Sequence, residues 1–567
     1  MRFLPPLRDF SVVTLLLCSC LYCSCTRDPD FDIIIRNGTV YDGSGSSPFV
    51  GDVAINGDTI VGAGDIAYAI GRLEIDASRM AVAPGFINML SWANESLIEE
   101  GLSQSDVRQG VTLEVMGEGW SMGPLNDAMK KDQFAEQGDI RYDITWTTLG
   151  EYLDYLAGRG VSTNIASFVG ATTLRIHEIG YQDRPPTAPE LDSMRALVRQ
   201  AMEEGALGVA SSLIYAPAFY ARTDEIIELC KVAGEYDGIY ISHIRSEGDR
   251  LLEAIDEFLT ICREADVAGE IYHFKALGRA NWPQLNAAIT KIEDARSAGQ
   301  RITADMYTYT AGQTGLDAVM PPWVQEGGQR EWEDRLRDPA IRKKVQEEMS
   351  APADQWENFY VAVGSPENII LEGFKSDSLK QYTGKTLADV AALRGSSPQE
   401  TAMDLVIQDR SRVEAVYFLM SEDNVRKKIG LPWVSFGSDA ASLAPEGVFL
   451  KSNPHPRAYG NFARLLGKYV REEGVIRLEE AIRRLTSFPA KSMQIRKRGL
   501  LEKGYYADVV IFDPDFVIDR ATYEQPHQYA TGVKHVFVNG VHVIDDGDHT
   551  GATPGRVVRG PGWGGGH

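Results

Sequence analysis

The chain has 567 residues, of which 44% are hydrophobic, so it can bury a large core and exceeds the size that one core usually serves. This composition excludes a disordered or fibrous protein and predicts two packed domains. The formal net charge of −23 and the sequence pI near 4.9 oppose binding to nucleic acid or to an anionic membrane surface, because both are polyanions. Any association with a membrane must therefore come from an anchor.

Residues 1–30 have the pattern of a secretory signal. Arg2 and Arg8 precede an apolar run over residues 11–17, which is too short to span a bilayer and is followed by a cluster of cysteines. The segment 17–20, Leu-Cys-Ser-Cys, resembles the lipobox of bacterial lipoproteins, in which the cysteine is acylated. We expect an exported protein, periplasmic or on the cell surface, with a lipid anchor at Cys20 and with Cys25 as the second candidate. The alternative is a cleaved signal whose cysteines have no role.

Both ends of the remaining chain show the alternation and the turn residues of short β-strands. Residues 31–83 contain an apolar stretch at 32–35 that is followed by the turn signal Asn37-Gly38. Residues 496–560 repeat the pattern, with an apolar stretch at 535–538 before Asn539-Gly540. We therefore predict one small β-sandwich domain that is built from both chain ends.

The long middle segment, residues 84–495, alternates short apolar strands with amphipathic helices. Residues 208–210 and 238–241, for example, predict strands on either side of a helix at 225–234. Repeated units of this kind place parallel strands in an open sheet or in a barrel. The length of the segment favours an α/β fold of the (β/α)8 barrel type, with a charged insertion near 325–370.

Four polar residues follow predicted strands of this barrel, where the catalytic groups of such folds are found. They are Glu118, His243, His273 and Asp439. A carboxylate and two neutral imidazoles suit Zn²⁺ with one position open for water, and a second carboxylate can then act as a base. A single histidine in such a place is more often structural, but four such residues in serial order favour a site. Histidines of the terminal region are interpreted as structural or surface residues: His527, His535, His542, His549 and His567.

Short motifs extend through the chain after the signal. The segment 83–88, Ala-Pro-Gly-Phe-Ile-Asn, leads into the first predicted barrel strand. It is followed by Gly117-Glu118-Gly119, Ser242-His243-Ile244-Arg245, His273-Phe274-Lys275, Asp305-Met306-Tyr307, Gly437-Ser438-Asp439 and His455-Pro456-Arg457. The order and spacing of these motifs resemble those of the N-acyl-D-amino-acid deacylases in the amidohydrolase superfamily.

Carried over position by position, the resemblance implies roles for individual residues. His243 and His273 match metal ligands, and Asp439 matches the general base and acid. Glu118 falls where many members have a ligand cysteine, and a carboxylate is a harder ligand that could shift the preference from Zn²⁺ toward Mn²⁺ or Fe²⁺. Three positions match residues that hold the substrate carboxylate: Lys275, Tyr307 and Arg457. For Lys275 and Tyr307, a solvated rim is an equal alternative.

The first barrel strand departs from the family. Where members carry a His-x-His pair, this chain has Leu90-Ser91-Trp92, and Asn88 replaces the aspartate before it. Neither leucine nor tryptophan binds a divalent cation. We therefore predict that the second metal position of the superfamily is empty and that one divalent ion, expected to be Zn²⁺, occupies the principal site.

The function implied by the resemblance is a metal-dependent amide hydrolase that removes the acyl group from N-acyl amino acids, with the D-configuration expected. Its partner would be this small molecule, and the membrane would be involved only through the N-terminal anchor. Two alternatives stay open. The same chemistry opens cyclic amides and dipeptides, and a barrel that lacks its first ligand pair could be a non-catalytic surface binding protein.

Overall fold

The computed structural model of the protein describes residues 28–564. The predicted acylation positions, Cys20 and Cys25, lie outside these residues. Within residues 28–564, no helix is long and apolar enough to cross a membrane.

A nine-stranded sheet joins the two ends of the chain. Its strands are Phe31–Val40, Phe49–Asn56, Thr59–Gly64, Gly71–Asp76 and Ala81–Pro84 from the beginning, and Val509–Phe512, Val533–Val538, Val541–Asp545 and Asp548–His549 from the end. The two halves meet where Ala81–Pro84 pairs antiparallel with Val509–Phe512. Alternating apolar residues of both halves, such as Ile35, Val53 and Ile511, form a common core.

Eight parallel strands form the barrel in the middle of the chain. They are Phe86–Asn88, Val111–Met116, Asn164–Ser167 with its continuation Val169–Gly170, Gly208–Ser212, Ile239–His243, Gly269–Ile271, Ile302–Met306 and Val434–Phe436. The first and eighth strands are linked just beyond their ends, because Asp439 N–H donates to Leu90 O at 2.8 Å and Trp92 N–H donates to Ala440 O at 2.9 Å. Residues at these strand ends therefore face a common space.

Helices cover the outside of the barrel strands. They include Ser96–Glu99, Gln104–Val107, Asp127–Glu136, Leu149–Arg159, Ala171–Ile179, Ala188–Glu203, Thr223–Gly234, Leu251–Ala265, Leu285–Ser297, Glu422–Ile429, Arg457–Arg464, Leu478–Leu485 and Ser487–Ser492. In Leu251–Ala265, the residues Ile255, Phe258 and Cys262 are buried at intervals of three and four, which is the spacing of one helix face. Thr187 and Glu190 form a capping box that begins Ala188–Glu203.

An insertion with its own hydrophobic core lies between the seventh and eighth barrel strands. Its three antiparallel strands are Ala311–Gly315, Ile369–Leu371 and Glu414–Phe418, and its helices are Gln329–Arg337, Pro339–Met349, Phe359–Ala362, Leu387–Arg394 and Pro398–Asp409. The predicted insertion near 325–370 is part of this larger unit, because the strands that hold it together begin before residue 325 and end after residue 370.

Candidate metal and catalytic site

Three ligand-type side chains meet at the carboxyl end of the barrel. Glu118 follows the second strand, His243 is the last residue of the fifth, and His273 follows the sixth. The Glu118 Oε1 atom lies 3.2 Å from His243 Nδ1 and 3.0 Å from His273 Nε2. One ligand atom of each residue lies within 4.8 Å of the others, and all three side chains are buried. The structure thus brings the three predicted metal ligands together.

Two of the three side chains have the protonation state that a metal ligand needs, and the third carries a proton that a cation would replace. Burial lowers the pKa of His243, so its ring is neutral at neutral pH and one of its nitrogens carries a lone pair. Burial works to raise the pKa of Glu118, but the adjoining His273 and His243 hold it well below its usual value. For His273, burial and Lys275 oppose the charged form, yet the carboxylates of Glu247 and Glu118 raise its pKa to about 10. Binding of a cation would therefore displace a proton from this ring.

A further carboxylate, Glu247, contacts both histidines on their other side. Its Oε1 lies 3.0 Å from His273 Nδ1, and its Oε2 lies 3.7 Å from His243 Nε2. An outer carboxylate of this kind orients ligand histidines and increases their basicity. Burial works to raise the pKa of Glu247, but Lys275 and the two histidines hold it well below its usual value. Sequence reasoning missed Glu247, because one acidic residue in a loop after a strand carries no distinguishing signal.

The indole of Trp92 connects the Glu118 carboxylate to Asp439, the predicted base. Its Nε1–H donates to Glu118 Oε2 at 3.0 Å and to Asp439 Oδ1 at 3.2 Å. The other oxygen of Asp439, Oδ2, lies 2.8 Å from Nη1 of Arg457. Burial raises the pKa of Asp439, while Arg457 acts in the opposite direction. Trp92, which cannot bind a cation, thus donates one shared hydrogen bond to two carboxylates.

Two of the clustered residues have a backbone conformation that L-amino acids rarely adopt. The φ angle is 36° at His273 and 51° at Asp439. Such conformations are costly and persist where the surroundings hold them, often at functional sites. The N–H of His273 donates to Asp305 Oδ1 at 2.8 Å, and that of Asp439 donates to Leu90 O at 2.8 Å. Both side chains are therefore aimed by strained turns at strand ends.

Asn88 has a structural role at the position where the resemblance expected an aspartate. Its Nδ2 donates to Glu114 Oε2 at 2.9 Å and to Asp106 Oδ1 at 3.3 Å, and its Oδ1 accepts from the N–H of Ser438 at 2.8 Å. Burial raises the pKa of Asp106 to about 7 and that of Glu114 well above its usual value. An amide can donate to these two carboxyl groups, whereas a third carboxylate would repel them.

The three predicted substrate-binding residues lie on the wall of the same cavity, which has a volume of about 250 Å³ and also contains Glu118, His243, His273 and Asp439. Lys275 is engaged within the protein, since its Nζ lies 2.6 Å from Glu247 Oε1 and 2.8 Å from His273 Nδ1. Tyr307 places its ring 4.5 Å from the guanidinium carbon of Arg457. The buried Nε of Arg457 has no hydrogen-bond partner among residues 28–564.

Comparison with known proteins places this chain in a family. A D-aminoacylase from Alcaligenes xylosoxydans xylosoxydans is 32% identical over 532 residues, which cover 93% of this chain and 97% of the relative. The chain belongs to the N-acyl-D-amino-acid deacylase family of amidohydrolases. A family model described as "Amidohydrolase family" matches residues 369–544 of this member.

Solved structures of the family agree with the fold over nearly the whole chain. An N-acyl-D-glutamate deacylase from Bordetella bronchiseptica, complexed with zinc and a phosphonate mimic of the tetrahedral intermediate, is 29% identical with a TM-score of 0.77, covering 93% of this chain and 99% of that one. A D-aminoacylase structure concerned with a binuclear metal centre, "one-metal activation and second-metal attenuation", is 31% identical with a TM-score of 0.77, covering 93% and 100%. The predicted family and the predicted barrel with a small β domain are confirmed.

Proposed function

We propose that this protein hydrolyses the amide bond of N-acyl-D-amino acids with a single divalent ion, expected to be Zn²⁺, held by Glu118, His243 and His273. The observation that carries the proposal is the convergence of these three ligands with Asp439 in one buried cavity. Relatives named D-aminoacylase and N-acyl-D-aspartate deacylase, 32% and 33% identical, support the reaction and the configuration of the substrate.

When bound, the ion would polarise the acyl carbonyl and lower the pKa of a water molecule. The residues of the chain supply the remaining steps. Asp439 takes a proton from the attacking water and returns it to the leaving amine. The indole N–H of Trp92 fixes one oxygen of Asp439, and Arg457 fixes the other, so the carboxylate cannot rotate away between the two transfers.

Arg457 is the residue that we expect to bind the α-carboxylate of the substrate. Its guanidinium is buried, lies on the cavity wall and has an Nε without a hydrogen-bond partner among residues 28–564. A buried guanidinium donor without a partner is costly, and a carboxylate satisfies it with a charge-assisted hydrogen bond. Lys275 acts differently, because its ammonium group already pairs with Glu247. We assign Lys275 to holding His273 and Glu247 in place.

A single ion agrees with the chemistry of the first barrel strand. Leu90 and Trp92 offer no ligand atom. The Trp92 N–H donates to one oxygen of Glu118 and to one oxygen of Asp439. The relative described by one-metal activation and second-metal attenuation supports the view that one ion suffices in this family. The cavity of about 250 Å³ favours a short acyl group, since pockets for larger ligands usually exceed about 300 Å³.

The test begins with protein from residue 28 onward, stripped of metal and reconstituted with zinc. N-acetyl D- and L-amino acids are assayed for release of the free amino acid, together with cyclic amides and D-dipeptides. We expect turnover of N-acetyl-D-amino acids, and we expect His243→Ala to lose both turnover and one equivalent of zinc. Preferred turnover of cyclic amides or dipeptides would replace the substrate assignment. Binding without any turnover would establish the surface binding protein instead.

We also propose that the protein is exported and anchored by a lipid at Cys20. The charged start, the apolar run at 11–17 and the cysteine that follows support this location. Cys20→Ala in the full-length chain should move the protein from the membrane fraction to the soluble fraction. Membrane association that persists in the double variant Cys20→Ala, Cys25→Ala would refute acylation at these residues.

A further inference from the structure

A second group of ligand-type side chains lies on the small β domain. The strands Val533–Val538 and Val541–Asp545 form a hairpin in which His542 pairs with Phe537. Because side chains alternate along a strand, His535 shares a face with Phe537 and is a diagonal neighbour of His542. Asp545 ends the second strand. His535 Nδ1 lies 3.2 Å from His542 Nε2 and 3.3 Å from Asp545 Oδ1, and His542 Nε2 lies 3.8 Å from the same oxygen.

Hydrogen bonds account for only part of this convergence. His535 Nδ1 accepts the backbone N–H of Asp546 at 3.4 Å, so this nitrogen presents a lone pair. His542 Nε2 can place one proton between the two rings. The Asp545 oxygen then faces the lone pair of His535 with no proton between them. Apart from the 3.4 Å contact of His535 Nδ1 with the Asp546 N–H, the three atoms share at most one donor, the ring N–H of His542, and a cation between them would bind all three.

The spacing of the three atoms matches that of ligands around a tetrahedral metal ion. For metal–nitrogen bonds of 2.0–2.1 Å, tetrahedral geometry places the ligand atoms about 3.4 Å apart. The observed separations are 3.2, 3.3 and 3.8 Å, close to the 3.0 and 3.2 Å between Glu118 and the two histidines in the barrel. We propose that His535, His542 and Asp545 form a second divalent-cation site, outside the barrel cavity.

The surroundings indicate the class of ion. Two imidazoles and one carboxylate favour Zn²⁺, Cu²⁺ or Ni²⁺ over Ca²⁺ and Mg²⁺, which prefer oxygen ligands. Asp546 follows in the turn and Asp548 begins the next strand, and both add negative charge, although Lys534 pairs with Asp546 at 2.8 Å. The histidine side chains are 18% exposed and that of Asp545 is 61% exposed, so the fourth position of the ion opens to water.

An ion at this site would connect the two hairpin strands with the turn that follows them. That turn packs against the barrel, since Gly547 O accepts a hydrogen bond from Arg108 and His549 Nε2 lies 3.0 Å from Leu102 O. An ion that binds only the folded state stabilises it by RT ln(1 + c/Kd), where c is the concentration of the free ion, so the stabilisation grows with that concentration. The role of the site is therefore structural, and it tightens the docking of the last strands on the barrel.

Zinc titration of metal-free protein from residue 28 onward tests this site, with bound zinc measured against a chromophoric chelator. We expect two equivalents for the wild type, one for His542→Gln and one for His243→Ala, and none for the double variant. Turnover should stay within about two-fold in His542→Gln, since the hairpin does not reach the barrel cavity. Asp548→Asn is the matched control, because it removes a carboxylate just beyond the same turn and should keep both equivalents.

Thermal unfolding gives a readout independent of activity. Zinc should raise the Tm of His243→Ala, and the same addition should leave the Tm of the double variant His243→Ala, His542→Gln unchanged. Asp545→Asn changes an exposed side chain and serves as a second test should His542→Gln fold poorly. The proposal is overturned if Asp545→Asn and His542→Gln both bind as much zinc as the wild type. If the wild type binds a single equivalent that His542→Gln removes and His243→Ala does not, the barrel site is refuted instead.

Discussion

Replacing Trp92 by phenylalanine tests whether its indole N–H positions the catalytic carboxylates. The substitution keeps an aromatic ring on the cavity wall and removes only the donor to Glu118 Oε2, at 3.0 Å, and Asp439 Oδ1, at 3.2 Å. Both carboxylates are buried, so neither recovers a full hydrogen bond from bulk water. Asp439 becomes free to turn toward Arg457, with which it already forms an ion pair at 2.8 Å.

The expected size of the effect follows from the number of bonds removed. One N–H is divided between two acceptors, so the change removes the equivalent of one hydrogen bond to a charged group, about 1.5–3 kcal/mol. Since each ~1.4 kcal/mol corresponds to a factor of ten in rate, kcat should fall about 10- to 100-fold, because the bond holds Asp439 in the geometry that proton transfer requires and its loss is therefore felt in the transition state more than in the bound substrate. Zinc affinity should fall as well, because Glu118 loses a partner that orients it.

The assay measures kcat and KM for an N-acetyl-D-amino acid, and zinc affinity by chelator competition. Trp120→Phe is the matched control, since Trp120 lines the same cavity and, within residues 28–564, donates no hydrogen bond to either carboxylate. If Trp92→Phe and Trp120→Phe have equal kcat and equal zinc affinity, the positioning role of Trp92 is wrong.

Four further changes separate the roles assigned to the other residues. Asp439→Asn should lower kcat about 100-fold or more while the metal content stays intact. Glu414→Gln, a change on the same cavity wall, should leave kcat unchanged. An unchanged kcat in Asp439→Asn would exclude Asp439 as the base. Arg457→Ala should lower kcat/KM for every substrate, because it frees one oxygen of Asp439, and by a larger factor for substrates with an α-carboxylate; an equal loss for amide analogues of the substrate would contradict its assignment to that carboxylate. Glu247→Gln should weaken zinc binding about 10- to 100-fold, measured by chelator competition, because it orients both histidines. The double change Leu90→His, Trp92→His should add one zinc equivalent per barrel. If no additional zinc binds, the absence of these two histidines is not what keeps the second metal position empty.

Much of the architecture could be predicted from local pattern. Alternating apolar residues and Asn-Gly turns indicate the strands at both ends, and strand–helix alternation indicates the barrel. The bounds of the insertion, in contrast, do not follow from local pattern. Its strands Ala311–Gly315 and Glu414–Phe418 pair although about a hundred residues separate them in sequence. Local periodicity does not indicate which distant strands pair.

The sequence by itself determined which chemistry is present. Glu118, His243, His273 and Asp439 lie at or just after the ends of barrel strands, and parallel strands bring their carboxyl ends to one side, so their convergence could be predicted. The missing histidines at positions 90 and 92 could also be seen directly.

Only the tertiary structure decided what replaces the missing pair and which groups pair with one another. The Trp92 N–H lies between Glu118 and Asp439, Lys275 turns to Glu247, and Arg457 reaches Asp439. The contacts of Trp92 and Lys275 join loops that follow different strands, and that of Arg457 joins the loop after the eighth strand to the start of the next helix. Their distances depend on side-chain rotamers and on turns such as those at His273 and Asp439. Rotamers and long-range contacts are selected by packing against the whole fold, so no local stretch of sequence specifies them.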